Sequence, residues 1–316
     1  MGDPAAIEVE SLVKRYKNGV LALKGISFEI RPGDVVGYLG PNGAGKTTTM
    51  KVLTNLIRPT GGHAYIAGID VQAHPLEALG QIGALIEVPG VYEYLTPEEV
   101  MAYFGRVHGL SRQRTAQRTQ EMLELVRLAE WTKAKIGGFS TGMTRRFFLA
   151  LAMLHDPQVL ILDEPVLGLD PKGMQDIRVI IKELSKQGKT VLLSSHLLNE
   201  VAETCNQIIM INKGEIQKKD SVENLRRAGT SRRVLVEFLE RPSEGAVAAV
   251  GRMGGVSRLE MNGRKGIIEF EGDRAVVASI LAGLVSAGLK PVSFALQEPS
   301  LEDIYVEMVG DDGGIH

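Results

Sequence analysis

The chain has a single cysteine, Cys205, among its 316 residues. One thiol closes no intrachain disulfide and builds no cysteine-based metal cluster, and it suits a reducing cytoplasm. No stretch reaches the roughly 18 consecutive apolar residues of a membrane helix, so membrane contact is expected only through a partner. The N-terminus, MGDPAAIEVE, lacks the basic segment and apolar core of a secretory leader, and Ala6 stands where myristoylation at Gly2 wants Ser or Thr. An excess of one charge is also missing. Lys and Arg number 36 against 38 Asp and Glu, for a net charge of −2 and a pI near 6.3, which gives no case for a nucleic-acid or anionic-membrane partner. Nor is there a fixed-period repeat.

What is present is a globular composition, 44% hydrophobic and 23% charged, long enough for one large domain and one small one. From Ile7 to Ile30, IEVESLV and ISFEI alternate as half-buried strands. VVGYL (35–39) runs into a glycine loop and a helix beginning near Lys46. VLILD (159–163) and TVLLSS (190–195) are short, nearly continuous apolar runs, as in parallel strands covered on both faces. With the helical spacing of GMQDIRVIIKELSKQGK between them, they predict an α/β sheet with crossover helices.

A helical insert is expected at about 88–139, where Thr96-Pro97-Glu98-Glu99 reads as an N-cap, a first-turn proline and acids suited to the dipole. Its basic run SRQRTAQR (111–118) is expected to be a solvated helix face. After Gly214, SRRVLVEFL, GAVAAVGRM, VSRLEM, GIIEFEG, DRAVVASILAGLVSAG and PVSFALQ read as strand, helix, strand, strand, helix, strand. That is the order of a ferredoxin-like unit, with a last short helix at SLEDIYVEMV. Expected boundaries are 1–217 for the main domain, 218–230 for a linker and 231–316 for the C-terminal domain.

GPNGAGKT (40–47) satisfies G-x-x-x-x-G-K-[ST] in full. Its glycines let backbone N–H groups face the α- and β-phosphates, Lys46 can reach the β- and γ-phosphates, and the Thr47 hydroxyl can ligate Mg²⁺. VLILDEP places two carboxylates at the end of an apolar strand. Successive strand residues point to opposite sides, so Asp163 would hold Mg²⁺ and Glu164 would orient and polarise the attacking water. FSTGMTRR (139–146) sets Ser140 ahead of the apolar run FFLALAML, a second helix start suited to an anion.

With these motifs in one chain, residues 1 to about 217 resemble the nucleotide-binding domain of an ABC transporter. The fold this implies is a P-loop ATPase domain with an antiparallel β subdomain and a helical insert. FSTGM aligns with the family signature, which contacts the γ-phosphate held by the opposite subunit. The resemblance implies that two ATP molecules are sandwiched between a cradle on one chain, Gly40 through Asn42, Gly43, Ala44, Gly45, Lys46 and Thr47 to Thr48, and Ser140, Thr141, Gly142 and Met143 of the other. Tyr16 matches the aromatic that stacks on adenine, His196 the switch histidine on the γ-phosphate, and Asp170 in GLDP the loop through which subunits communicate.

Three positions depart from the family habit. Glu87 replaces a glutamine; a carboxylate there could approach Mg²⁺ or its water, and Glu87 is expected to link the site to the transport partner. Thr141 and Met143 replace glycine and glutamine. Arg145 stands where glutamine often precedes the Arg146 position, and the sequence gives no account of it. Together with an appended domain, these features resemble the ATPases of exporters that pair with a separate type 2 ABC permease. The implied assembly is a head-to-tail dimer, of two copies or with a sibling ATPase, held at the inner face of the membrane by that permease. The rival is a soluble ABC ATPase acting on ribosomes or DNA. Against it stand the single cassette, the single cysteine and the lack of a basic tail.

Overall fold

Period-two patterning over IEVESLVKR and LALKGISFEI forms the antiparallel strands β1 (Ile7–Arg15) and β2 (Leu21–Ile30). The computed structural model describes residues 4–87, 90, 92–228 and 232–297. The chain divides into two units, Met1–Val222 and Glu223–His316. In the first, β3 (Val35–Leu39) leads through the glycine loop into α1 (Lys46–Leu53). Strands β4 (Gly61–Ile66) and β5 (Ile69–Asp70) then complete an antiparallel sheet ordered β2-β1-β4-β5.

Helix α2 (Pro75–Gly80) and β6 (Ile82–Leu85) precede the helical insert, α3 (Pro97–Val107) and α4 (Arg112–Leu125). The predicted start of α3 forms as a reciprocal cap. Thr96 Oγ1 accepts the Glu99 N–H at 3.3 Å and Glu99 Oε2 accepts the Thr96 N–H at 2.8 Å, so two donors with no helical partner are satisfied at once. After the insert come α5 (Thr141–Ala152), β7 (Val159–Leu162), α6 (Pro171–Lys186), β8 (Thr190–Ser195), α7 (Leu198–Thr204), β9 (Gln207–Asn212) and β10 (Glu215–Ser221).

The main sheet runs β10-β9-β3-β8-β7-β6. Its β9, β3, β8, β7 and β6 are parallel neighbours, and every residue of β3, β7 and β8 is buried. Both faces are covered, by helices and, on one side, also by the antiparallel sheet, as where Phe28 meets Tyr38, which is why these strands carry apolar runs instead of an alternation.

Two expectations are corrected in this unit. Residues 218–221, expected in a linker, belong to β10, an antiparallel edge strand paired with β9. EIQKKDS reads as linker because an edge strand half in solvent keeps charged side chains, which also discourage pairing with other chains. In the basic run of α4, Arg118 is only 7% exposed and is not part of a solvated face. Its guanidinium donates to the carbonyl oxygens of Met153 (2.7 Å) and Leu154 (3.2 Å) at the end of α5.

Helix α8 (Val222–Ala228) starts at the division between the units, and the second unit continues with β11 (Arg232–Phe238), α9 (Glu244–Val250), β12 (Val256–Asn262), β13 (Lys265–Phe270), α10 (Arg274–Ser286) and β14 (Pro291–Gln297). Its antiparallel sheet is ordered β12-β13-β11-β14. This is the ferredoxin-like arrangement, with each crossover helix returning the chain past an intervening strand. Val234, Val236, Phe238, Ile268 and Phe270 fill one face of the sheet together with Ile280 and Leu284 of α10. The expected helix at SLEDIYVEMV lies outside the described residues.

Candidate active site

Parallel strands end together, and their carboxyl edge is where an α/β sheet offers a crevice. Leu39 of β3 is level with Ser195 of β8, Leu162 of β7 with Leu193 of β8, and Leu85 of β6 with Leu162. Gly40, Asp163, His196 and the loop to Glu87 therefore leave the sheet from one edge.

The glycine loop is required by close packing. A Cβ on Gly40 would run into the Ile211 carbonyl oxygen, and Gly45, at φ 112°, would place one 2.9 Å from that of Ala22. Gly43 is also left-handed, at φ 78°. Gly45 is the N-cap of α1 and no side chain caps that end, so N–H groups at the helix start face the loop, as an anion seat needs. Asn42, Ala44 and Thr47 lie within this turn.

Lys46 is 6% exposed. Its Nζ donates to the Gly40 carbonyl at 2.6 Å and the Pro41 carbonyl at 3.3 Å, and lies 3.7 Å from Glu164 Oε1. Burial pulls its pKa down, and the Glu164 and Asp163 carboxylates oppose that shift.

Asp163 and Glu164 lie just beyond β7, so their directions are not set by the strand alternation expected. Glu164 adopts a left-handed backbone, φ 47°, which turns its carboxylate towards Lys46 and to within 3.0 Å of His196 Nδ1. Asp163 stays buried at 8% exposure. Ser194 joins them: its hydroxyl donates to Asp163 Oδ1 at 2.5 Å and accepts the Glu164 N–H at 2.8 Å. Sequence reasoning misses Ser194. The available signal is the pair of hydroxyls, Ser194 and Ser195, that follows the apolar run of a fully buried strand.

Hydroxyl and carboxylate oxygens are hard ligands suited to Mg²⁺, and Thr47 and Asp163 supply one of each. Glu87 is engaged elsewhere: its carboxylate lies 2.6 Å from Lys51 Nζ on α1. Among the described residues no group of three or more His, Cys, Asp or Glu is arranged to hold a metal.

Tyr16 sits at the end of β1, its hydroxyl 3.2 Å from Thr48 Oγ1 on α1 and its ring 5.3 Å from Lys14 Nζ. The signature lies apart. Ser140 caps α5, its Oγ accepting the Met143 N–H at 3.2 Å, and Thr141 and Gly142 form that helix's first turn. Asp170 caps α6 by accepting the Gly173 N–H at 2.9 Å. Among the described residues, none of Ser140, Thr141, Gly142, Met143 and Asp170 is bonded to residues 40–48 of the same chain.

A glycine cradle with its lysine, a paired Asp-Glu and a histidine at the ends of parallel strands define a P-loop ATPase of the cassette type. Residues 23–167 match the family described as ABC transporter. The chain is 34% identical over 303 residues to the uncharacterized ABC transporter ATP-binding protein YxlF of Bacillus subtilis (strain 168), covering 96% of this chain and 99% of that one. It is 32% identical over 305 residues to the bacitracin transport ATP-binding protein BcrA of Bacillus licheniformis, covering 96% and 97%. The solved structure of the ATP-binding cassette MJ0796, a dimeric post-hydrolysis state bound to ADP and Pi, superposes with a TM-score of 0.62 at 25% identity, over 68% of this chain and 98% of that one. The chain belongs to the ABC transporter ATP-binding proteins and is an ATPase.

Proposed function

We propose that this chain is the ATP-hydrolysing subunit of an exporter and works as one half of a head-to-tail dimer. The carrying observation is the convergence of Lys46, Asp163, Glu164 and His196 at one sheet edge. Lys46, now held by its own loop, turns to the β- and γ-phosphates, while backbone N–H groups from Gly40 to Thr48 take the rest of the phosphate chain and Tyr16 stacks on adenine. Thr47 and Asp163 would hold Mg²⁺, which would neutralise phosphate charge when bound. Glu164 polarises the attacking water and His196 hydrogen-bonds the γ-phosphate.

Ser140 to Met143 cover the γ-phosphate of the opposite subunit, and Asp170 lies at the contact between subunits. The separation of the signature from the cradle within one chain supports this exchange, as does the dimeric state of the MJ0796 cassette. ATP binds the closed dimer better than the open one, and hydrolysis reopens it, a shift between two populations.

No helix among the described residues is long and apolar enough to cross a membrane, so transport needs a membrane-spanning permease. The helical insert receives it. Exposed Tyr92 and Tyr94 ahead of α3 and exposed Tyr103 on α3 support a docking surface, because aromatic side chains are enriched in such contacts. The protein is then peripheral on the cytoplasmic face of the membrane. Similarity to a bacitracin transport ATP-binding protein and to linearmycin and daunorubicin resistance ATP-binding proteins supports movement of an antibiotic outward.

Glu164→Gln tests the reading. It is expected to bind ATP normally, to hydrolyse it at least about a hundredfold more slowly, and to elute as an ATP-dependent dimer in size-exclusion chromatography. Wild-type turnover in this variant would remove Glu164 as the base. A monomer at saturating ATP would remove the dimer.

A further inference from the structure

Arg145 lies in the second turn of α5, five residues after the Ser140 cap. It is half-buried, a position at which a charged group needs a partner. Its Nη2 donates to the Leu167 carbonyl oxygen at 3.3 Å. Leu167 closes a turn that begins at Glu164, its N–H donating to the Glu164 carbonyl at 3.2 Å. The same turn carries the left-handed backbone of Glu164 and continues through Gly168, at φ 77°, to the Asp170 cap of α6. The guanidinium also lies within electrostatic reach of the Asp163 carboxylate. The neighbouring Arg146 holds a different element, donating to the Val126 carbonyl after α4 at 3.0 Å. Two consecutive arginines thus tie the start of α5 to two separate segments.

We propose that Arg145 is a positioning residue for hydrolysis: by gripping the Leu167 carbonyl it holds the Glu164 turn at a fixed distance from the signature helix of the same chain. The proposal rests on Glu164 being the base. A left-handed glutamate is a strained arrangement that persists only when its surroundings over-determine it. Ser194 fixes the turn at its start through the Glu164 N–H, and Arg145 fixes it at its end. The consequence reaches across the dimer. Each α5 reads the nucleotide of the opposite subunit, while its Arg145 holds the base that serves its own, so closure of the signature on one ATP sets the carboxylate beside the other. A glutamine, usual in the family at this position, is shorter and uncharged; arginine delivers a charge-assisted bond at longer reach.

The test compares the purified full chain with Arg145→Met, which keeps length without a donor, and Arg145→Lys, which restores charge and one donor. Steady-state ATP hydrolysis, affinity for a fluorescent ATP analogue and thermal unfolding are measured on each. Arg145→Met is expected to lower kcat about tenfold, the cost of one charge-assisted hydrogen bond, with KM, nucleotide affinity and Tm unchanged. Arg145→Lys is expected to recover most of the loss. Wild-type kcat in Arg145→Met would overturn the proposal. So would a loss of nucleotide affinity and Tm in step with kcat, since that marks a structural role. Glu164→Gln is run in parallel. If it is inactive while Arg145→Met is fully active, only the positioning role fails; if Glu164→Gln is fully active, the base assignment fails and takes the positioning role with it.

Discussion

The Ser194 hydroxyl donates to Asp163 Oδ1 at 2.5 Å. Its oxygen accepts the Glu164 N–H, so one side chain of β8 fixes both acids that follow β7. Ser194→Ala leaves a buried carboxylate oxygen and a backbone N–H without their partner, at a cost of about 1–3 kcal/mol. Urea unfolding should show that loss, and Mg²⁺ titration of ATPase activity should show a higher half-saturating concentration.

Gly45→Ala places a Cβ at φ 112° and 2.9 Å from the Ala22 carbonyl oxygen. Strain at such a position costs about 1–3 kcal/mol, and relief requires the cradle to open. Binding of a fluorescent ATP analogue is expected to fall by at least about tenfold, while circular dichroism stays that of a folded chain.

Arg118→Met removes the donor to the Met153 and Leu154 carbonyls and leaves Glu121, now 2.8 Å from Nη1, without its cation. The Leu154 carbonyl loses its side-chain donor while the Met153 carbonyl keeps the Asp156 N–H at 3.1 Å, so a destabilisation of about 1–3 kcal/mol is expected. Its signature is local: hydrogen exchange should accelerate in α4 and at the end of α5 before the parallel sheet is affected.

His155 stacks on His108 with ring centroids 3.9 Å apart, and its Nε2 lies 3.0 Å from the Ile82 carbonyl oxygen. Burial, and then His108, push its pKa down from 6.5 to about 4; the nearby Arg118 acts in the same direction and Asp156 against it. Below pH 6.5 the unfolded chain therefore takes up a proton that the folded chain refuses until about pH 4. Stability is full above that window and falls as pH drops through it, by at most about 1.4 kcal/mol per pH unit from this group. His155→Gln should flatten the pH dependence of urea unfolding between pH 7 and 5 relative to the wild type.

Local signals make much of this legible. The cradle spacing, the Asp163-Glu164 pair and the strand-helix order of both units are encoded by residues close in sequence, and each has a period or spacing of its own. What stays hidden depends on register or on distant partners. Ser194 matters because β8 lies beside β7 at one particular register. The carbonyl that Arg145 holds is 22 residues away, and nothing in TRRFF points to it. Arg118 resembles its solvated neighbours Arg112 and Arg114 until α4 is laid against α5. The left-handed Glu164 escapes sequence reasoning because residue type signals such a backbone only through Gly, Asn or Asp.

Helix α5 joins a buried end to an exposed one. Phe147, Phe148, Leu149 and Ala150 are buried, whereas Ser140 and Thr141 at its start are exposed. Seven residues of helix span about 10 Å, so tilting the rod by about 10° around its buried half swings Ser140 by about 2 Å. Shifts of that size separate a hydrogen bond from a gap. In the dimer proposed above, a small pivot in the core, amplified along this arm, would be enough to engage or release the phosphate held by the facing subunit.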